Sequence, residues 1–232
     1  MRYLAIVPAR GGSKRIPGKN LIPLGGRPLL DYTAYAVRTA RCLAGAVIST
    51  DDAAIARHAV ALGLANPAMR PMELAADNSP PGAAIHHALL AYEALHGCVD
   101  AVVLLQPTSP FRTGRHVDEA CALFANSSAD TVTAVRPAHD HPYWTWRREG
   151  DEIRPFFGDE EMTTDRSRLP EALAENGAVY VVRRDVAIEG AVYGPRVVPY
   201  LMDETASTDI DTPADLAWAE FLLQRGLAQA LP

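Results

Sequence analysis

The 232-residue sequence has little cysteine, little lysine and no long apolar run. Its three cysteines, Cys42, Cys98 and Cys121, are odd in number and widely spaced. That excludes a disulfide framework or a cysteine zinc site and fits a reducing cytoplasm, with the thiols as small buried filler. No stretch approaches the ~18 apolar residues of a membrane span, so an integral membrane protein is not expected. The first residues, Met1 to Pro8, lack a signal-peptide pattern and read directly as a strand. A net charge of −6 argues against bulk nucleic-acid binding. Before Asp31 there is no acidic residue, yet Arg2, Arg10, Lys14, Arg15, Lys19 and Arg27 lie there. Lys14 and Lys19 are the only lysines of the chain, in a sequence otherwise committed to arginine. A short loop that keeps both compact ammonium groups has a specific use for them.

What is present, 48% hydrophobic and 22% charged residues, is the balance of a globular protein long enough to bury its own core. Residues 3–7 and 101–105 are fully apolar runs of the kind buried inside a parallel sheet. A third strand is expected at 45–50 and a fourth at 130–136. Helices are expected at about 28–42, 52–63 capped by Asp51, 79–96 with Ser79 as cap before Pro80-Pro81, and 114–126. This alternation predicts an α/β fold with a mostly parallel sheet and right-handed crossovers. Beyond residue 137 the rhythm breaks. Residues 143–146 and 153–156 flank Glu149-Gly150-Asp151 and predict a hairpin. Strands at 178–182 and 196–201 follow, and Thr212-Pro213-Ala214-Asp215 opens a last helix to about 225.

Ligands of an open α/β sheet bind beyond the carboxyl ends of its strands, which directs attention to loops 9–28, 106–112 and 202–211. The first begins Arg10-Gly11-Gly12-Ser13-Lys14 and continues to Lys19-Asn20. Glycines let backbone N–H groups approach an anion, and the cations neutralise it, so the composition is that of a phosphate site. It is neither a Walker A loop nor a dinucleotide fingerprint, because the spacings differ. In the third loop, Asp209 and Asp211 alternate with Ile210, and an extended segment puts both carboxylates on one side. Beside a polyphosphate such a pair suits magnesium; alone, Asp211 could simply favour the start of the next helix. Gln106-Pro107-Thr108-Ser109-Pro110-Phe111-Arg112 reads by itself as a proline-stiffened strand end. Arg166 and Asn176 would suit an acidic sugar, although the residues by themselves favour an ordinary surface arginine and a turn before a strand.

Taken in order, P-A-R-G-G-S-K-x-x-x-x-K-N at 8–20, Arg70-Pro71 with Leu74-Ala75 and Asp77, Q-P-T-S-P-x-R at 106–112, N-G-A at 176–178 and S-x-D-I-D at 207–211 resemble the acylneuraminate cytidylyltransferases, the CMP-sialic acid synthetases. The resemblance covers nearly the whole chain. It implies a Rossmann-like nucleotidyltransferase sheet flanked by helices over residues 1–232, with a small β-hairpin dimerisation extension at about 137–170. It also implies a cytoplasmic homodimer that joins CTP to a nine-carbon α-keto acid sugar, giving CMP-sugar and pyrophosphate with magnesium or manganese. Arg10, Gly11, Gly12, Ser13, Lys14 and Lys19 would hold the triphosphate. Asn20, Arg70 and Ser79 would complete the nucleotide site. Gln106, Arg166 and Asn176 would hold the sugar, and Asp209 and Asp211 the metal. Arg10, Lys19, Gln106 and Asp211 would act on the reacting groups, with the general base open between Asp211 and a metal-bound hydroxide. Three departures concern the sugar more than the reaction: Asp77-Asn78-Ser79-Pro80-Pro81 replaces a serine-rich stretch, Ser167 replaces a glutamine, and Leu173-Ala174 stands where a tyrosine is usual. A legionaminate, pseudaminate or Kdo enzyme is the nearest alternative; a non-catalytic nucleotide-binding module is the alternative of a different class.

Overall fold

Strand β1 (Tyr3–Pro8) shows in miniature how the sheet is built. Tyr3, Ala5 and Val7 enter one apolar cluster while Leu4 and Ile6 enter another, because successive side chains point to opposite faces. In the computed structural model, which describes residues 1–76, 79–157, 165 and 168–231, β1 leads through a short pair β2 (Pro23–Leu24) and β3 (Arg27–Pro28) into α1 (Leu29–Thr39). Then come β4 (Leu43–Ser49), α2 (Ala53–Ala61), α3 (Pro81–His96), β5 (Ala101–Leu104), α4 (Gly114–Ala125) and β6 (Thr131–Pro137). The chain continues as β7 (Trp146–Glu149), β8 (Glu152–Pro155), β9 (Leu173–Arg183), α5 (Arg184–Ile188), β10 (Val197–Leu201) and α6 (Pro213–Gln224).

Six strands form the main sheet in the order β10-β6-β9-β5-β1-β4. β9 runs antiparallel to both of its neighbours, and the other pairings are parallel. The expected α/β, mostly parallel sheet is therefore what forms. One apolar cluster gathers side chains of α1, α2 and α4, and the other gathers those of α3 and α5. A third packs Ile16, Leu24, Phe111 and Ile210 against α6.

Three local expectations are corrected. Asp52, not Asp51, caps α2: its carboxylate accepts from the N–H groups of Ala54 at 2.6 Å and Ile55 at 3.1 Å. Ser79 does not cap α3, whose start follows Pro80 without a side-chain bond. Tyr143 and Trp144 lie in a single 3-10 turn, and the hairpin is the shorter pair β7–β8 around Gly150 at φ +66°. The cap at Thr212 is as expected, with Thr212 and Asp215 exchanging bonds in a capping box.

One glycine is fixed by a backbone crossing. A Cβ on Gly82, in the first turn of α3, would lie 1.6 Å from the carbonyl oxygen of Gly190. Backbone cannot step aside as a side chain can. We expect Gly82→Ala to lower unfolding free energy by about 3 kcal/mol in chemical denaturation; an unchanged midpoint would mean that α3 and α5 separate without cost.

Candidate active site

The loop after β1 is held open by contacts with distant residues. Ala9 N–H donates to the Ser49 carbonyl at 2.9 Å, carrying the chain along the end of β4. The Asn20 amide donates to the Arg10 carbonyl at 2.9 Å and closes the loop from its far side. Gly18 turns at φ +64°, a left-handed conformation that favours glycine. It starts the 3-10 turn Lys19–Leu21. Lys19 then points back across the cleft. Its ammonium donates to Asp211 Oδ1 at 2.8 Å and to the Ile210 carbonyl at 3.1 Å. Arg15 reaches the other oxygen of Asp211 at 3.1 Å. The first and third loops predicted from sequence are thus one site.

The middle loop completes it. The Thr108 carbonyl accepts from Ile210 N–H at 2.8 Å. Arg112 is buried beneath this loop and donates to the carbonyls of Gln106 at 3.0 Å and Ala178 at 2.8 Å, and to the Thr33 hydroxyl at 2.6 Å. Burial, with no acid beside it, pushes its pKa down to about 9. By itself the stretch reads as a stiffened strand end; in the structure Arg112 clamps the Gln106 backbone to Ala178 of β9. Gly177 lies in van der Waals reach of the Gln106 side chain and turns at φ +72°, a conformation that favours glycine.

Asp209 and Asp211 sit at the same edge of the cleft. Asp209 keeps solvent access, yet crowding by protein raises its pKa, and the charge of Asp211 adds to this. The Thr108 hydroxyl and Lys19 act in the opposite direction. That hydroxyl faces Asp209 without meeting the geometry of a formed hydrogen bond. An ionised pair held close beside cations suits a shared divalent ion.

The other nucleotide-site candidates converge as well. Arg70 is buried, donates to the Ser49 hydroxyl at 3.1 Å and carbonyl at 2.6 Å, and has its pKa lowered by burial. With Arg10, Ser79, Ile85 and Gln106 it lines a hollow of about 330 Å³. A second hollow of about 370 Å³ is lined by Arg10, Ser13, Lys14, Arg15, Lys19 and Asp211. Asn20 and Gln106 line a third, and Gly12 and Lys14 a fourth. Arg10 borders all four. A mostly apolar hollow at one end and a cationic trough at the other suit a base and a triphosphate.

Asn176 is placed near the cleft but is engaged inside the protein. Its amide donates to the Ser207 hydroxyl at 2.9 Å and its oxygen accepts from Ala178 N–H at 3.0 Å. Asp77, Arg166 and Ser167 lie outside the described residues. One cluster went unnoticed in the sequence. Tyr193 donates to Glu175 at 2.7 Å and packs edge-on against Tyr180, which pairs with Leu104 at the wall of the first hollow. An alternating Tyr180 in an otherwise aliphatic strand was the available signal.

Fold and cleft together are those of a nucleotidyltransferase. A CMP:2-keto-3-deoxy-manno-octonic acid synthetase solved with CTP shares the fold, with a TM-score of 0.69, 18% identity and 97% of this chain and 100% of that chain covered. The chain belongs to the cytidylyltransferase family, whose sequence model, described as Cytidylyltransferase, matches residues 4–145. It is 34% identical to a CMP-N,N'-diacetyllegionaminic acid synthase of Legionella pneumophila, over 97% of either chain. It is 29% identical to an N-acylneuraminate cytidylyltransferase of Escherichia coli, over 97% of this chain and 52% of that protein.

Proposed function

We propose that the protein transfers CMP from CTP to a nine-carbon α-keto acid sugar of the neuraminate or legionaminate type and releases pyrophosphate. The observation that carries this is the meeting of Lys19 with Asp211 in the trough that Arg10 borders and that opens onto Gln106. It gathers cations for a triphosphate and carboxylates for a metal at the place where a sugar could approach. Arg70 and Ser79 would border the base, with Asn20 closing the loop that carries Arg10.

The sugar's anomeric hydroxyl attacks the α-phosphorus in line. The new oxygen–phosphorus bond forms as the bond to the β-phosphate bridge breaks, pyrophosphate leaves, and the hydroxyl proton passes to a general base, a role for which Asp211 is placed in the trough. Arg10, Lys14 and Lys19 neutralise charge on the phosphates, and Gln106 orients the sugar. Catalysis then rests on positioning and electrostatics. Asp209 and Asp211 fit magnesium or manganese: their donors are oxygens only, and a shared cation relieves the repulsion that helps raise the Asp209 pKa. Bound there, the ion would withdraw charge from the phosphates. Arg166 is proposed for the sugar carboxylate, with Asn176 building the wall through Ser207.

The assay is pyrophosphate release from CTP with neuraminate, legionaminate, pseudaminate and Kdo in parallel. Release with a nine-carbon acid supports the reading, and release with none of them removes it. Kdo as sole substrate would shift the reading to an eight-carbon enzyme.

We also propose that the protein is a homodimer through the β7–β8 hairpin. Trp146 is 49% exposed, Ile153 60%, Phe156 56% and Phe157 52%. So large an apolar surface in one hairpin is the mark of an interface. Light scattering at micromolar concentration should give twice the chain mass; a monomer would refute the interface. Among the described residues no helix is long and apolar enough to cross a membrane. Of the three free cysteines Cys121 is buried, but Cys98 is exposed and Cys42 half-buried, so the expectation of buried filler holds for Cys121 alone; free thiols suit a reducing cytoplasm.

A further inference from the structure

We infer that Asp51 is a positioning residue that sets the shape of the loop carrying Arg10, Gly12, Ser13 and Lys14, an inference that rests for its purpose on the nucleotide reading of that loop. Asp51 lies at the corner between β4 and α2, a rigid place. Its Oδ1 accepts from the Gly11 N–H at 3.0 Å. One residue earlier in the loop but one, Ala9 N–H is tied to Ser49, so the chain is fixed on both sides of Arg10. Gly11 is pressed onto the same corner from the other side. A Cβ there would stand 2.9 Å from Asp52 Oδ2. Asp52 cannot retreat freely, because its other oxygen caps α2.

Directly after this pin, Ser13 N–H donates to the Gly11 carbonyl at 3.0 Å and the chain turns tightly. The turn brings Gly12, Ser13 and Lys14 beside Arg10 and Asp51 in one hollow. The Gly11 N–H needs an acceptor oxygen, and Asp51 supplies one from outside the loop. The carboxylate also acts on Arg70, the buried cation of the adjoining hollow. Asp51 therefore holds the loop by its oxygen.

The experiment compares wild type, Asp51→Ala and Asp51→Asn. Hydrogen exchange of the 9–20 segment is read first, on the free protein with no substrate. We expect Asp51→Ala to speed exchange of that segment about tenfold or more while the core strands stay protected. KM for CTP should rise about tenfold with little change in KM for the sugar. Asp51→Asn keeps an acceptor oxygen and should stay within about threefold of wild type in both measurements. Unchanged exchange in Asp51→Ala overturns the proposal. So does an Asp51→Asn protein that folds but loses CTP as severely as the alanine variant, since charge and not the acceptor would then matter. If Asp51→Ala does not fold, the asparagine arm decides alone: retention of exchange and KM supports the proposal, and loss of either overturns it. A wild type that releases no pyrophosphate from CTP would sink the nucleotide reading and leave the exchange result to judge the loop.

Discussion

Lys19→Ala is expected to lower kcat/KM by about a hundredfold or more, the usual cost of deleting a group that stabilises developing charge. The side chain is 15% exposed and bridges Asp211 and the Ile210 carbonyl. Removing it leaves Asp211 with Arg15 as its side-chain cation among the described residues and takes one cation from the trough. The fold should survive, losing about 1–3 kcal/mol, as for hydrogen bonds to a charged group. Lys19→Arg should also be impaired. A planar fork cannot direct one point charge at a carboxylate, a carbonyl and a phosphate together. Steady-state rates and a melting curve on both variants check this. Near-normal turnover of Lys19→Ala at saturating CTP would take the loop out of the mechanism.

The second large effect concerns the carboxylate pair. Activity should stop in chelator and return with magnesium or manganese. Asp209→Ala and Asp211→Ala should each lower the rate about a hundredfold or more, since metal stabilisation of phosphoryl charge is worth several kcal/mol. Stability should behave differently. The Asp209 pKa is raised in the folded protein, so the folded chain holds that proton more tightly than the unfolded chain does. The contribution of this group to stability therefore grows as pH falls through the raised folded value and levels off below the ordinary carboxylate value. At neutral pH its charge works against the fold, and Asp209→Ala should melt no lower than wild type. A lost rate with an undiminished melting temperature separates a working carboxylate from a helix-favouring one. Full activity in chelator, or in both variants, would contradict the pair's proposed role.

Strands β1 and β5 were legible because each is an unbroken apolar run buried on both faces. The start of β9 was not. Its first residues, Leu173 to Asn176, mix exposed and buried positions at the rim of the sheet. β9 also returns antiparallel from the excursion after β6, so its beginning and not its end lies with the carboxyl ends of the parallel strands. Asn176 lies behind the cleft wall, bonded to Ser207, for that reason. The basic loop is conspicuous because it lacks acids, but the direct contacts of Lys19 with Asp211 and of Gly11 with Asp51 have no local sequence signal. Asp51 lies 40 residues from Gly11, and Asp211 lies 192 from Lys19. Only the parallel packing of β4 and the return of the chain before α6 bring them in. Asp51 and Asp52 are adjacent and both competent to cap, so sequence could not divide their duties; the structure gives the cap to Asp52 and the loop to Asp51. Arg112 has no signal in the sequence, because an arginine bonded to two carbonyls and a hydroxyl rather than to acids leaves no charge pattern to find.

The most direct test of the central claim is label transfer from CTP carrying a labelled α-phosphate, with a nine-carbon α-keto acid sugar, magnesium and the purified protein. The label should move into a CMP-sugar in step with one pyrophosphate per sugar consumed, and should stay in CTP when the sugar or magnesium is omitted. Label that remains in CTP with every nine-carbon acid offered, while the protein is folded, would contradict the account.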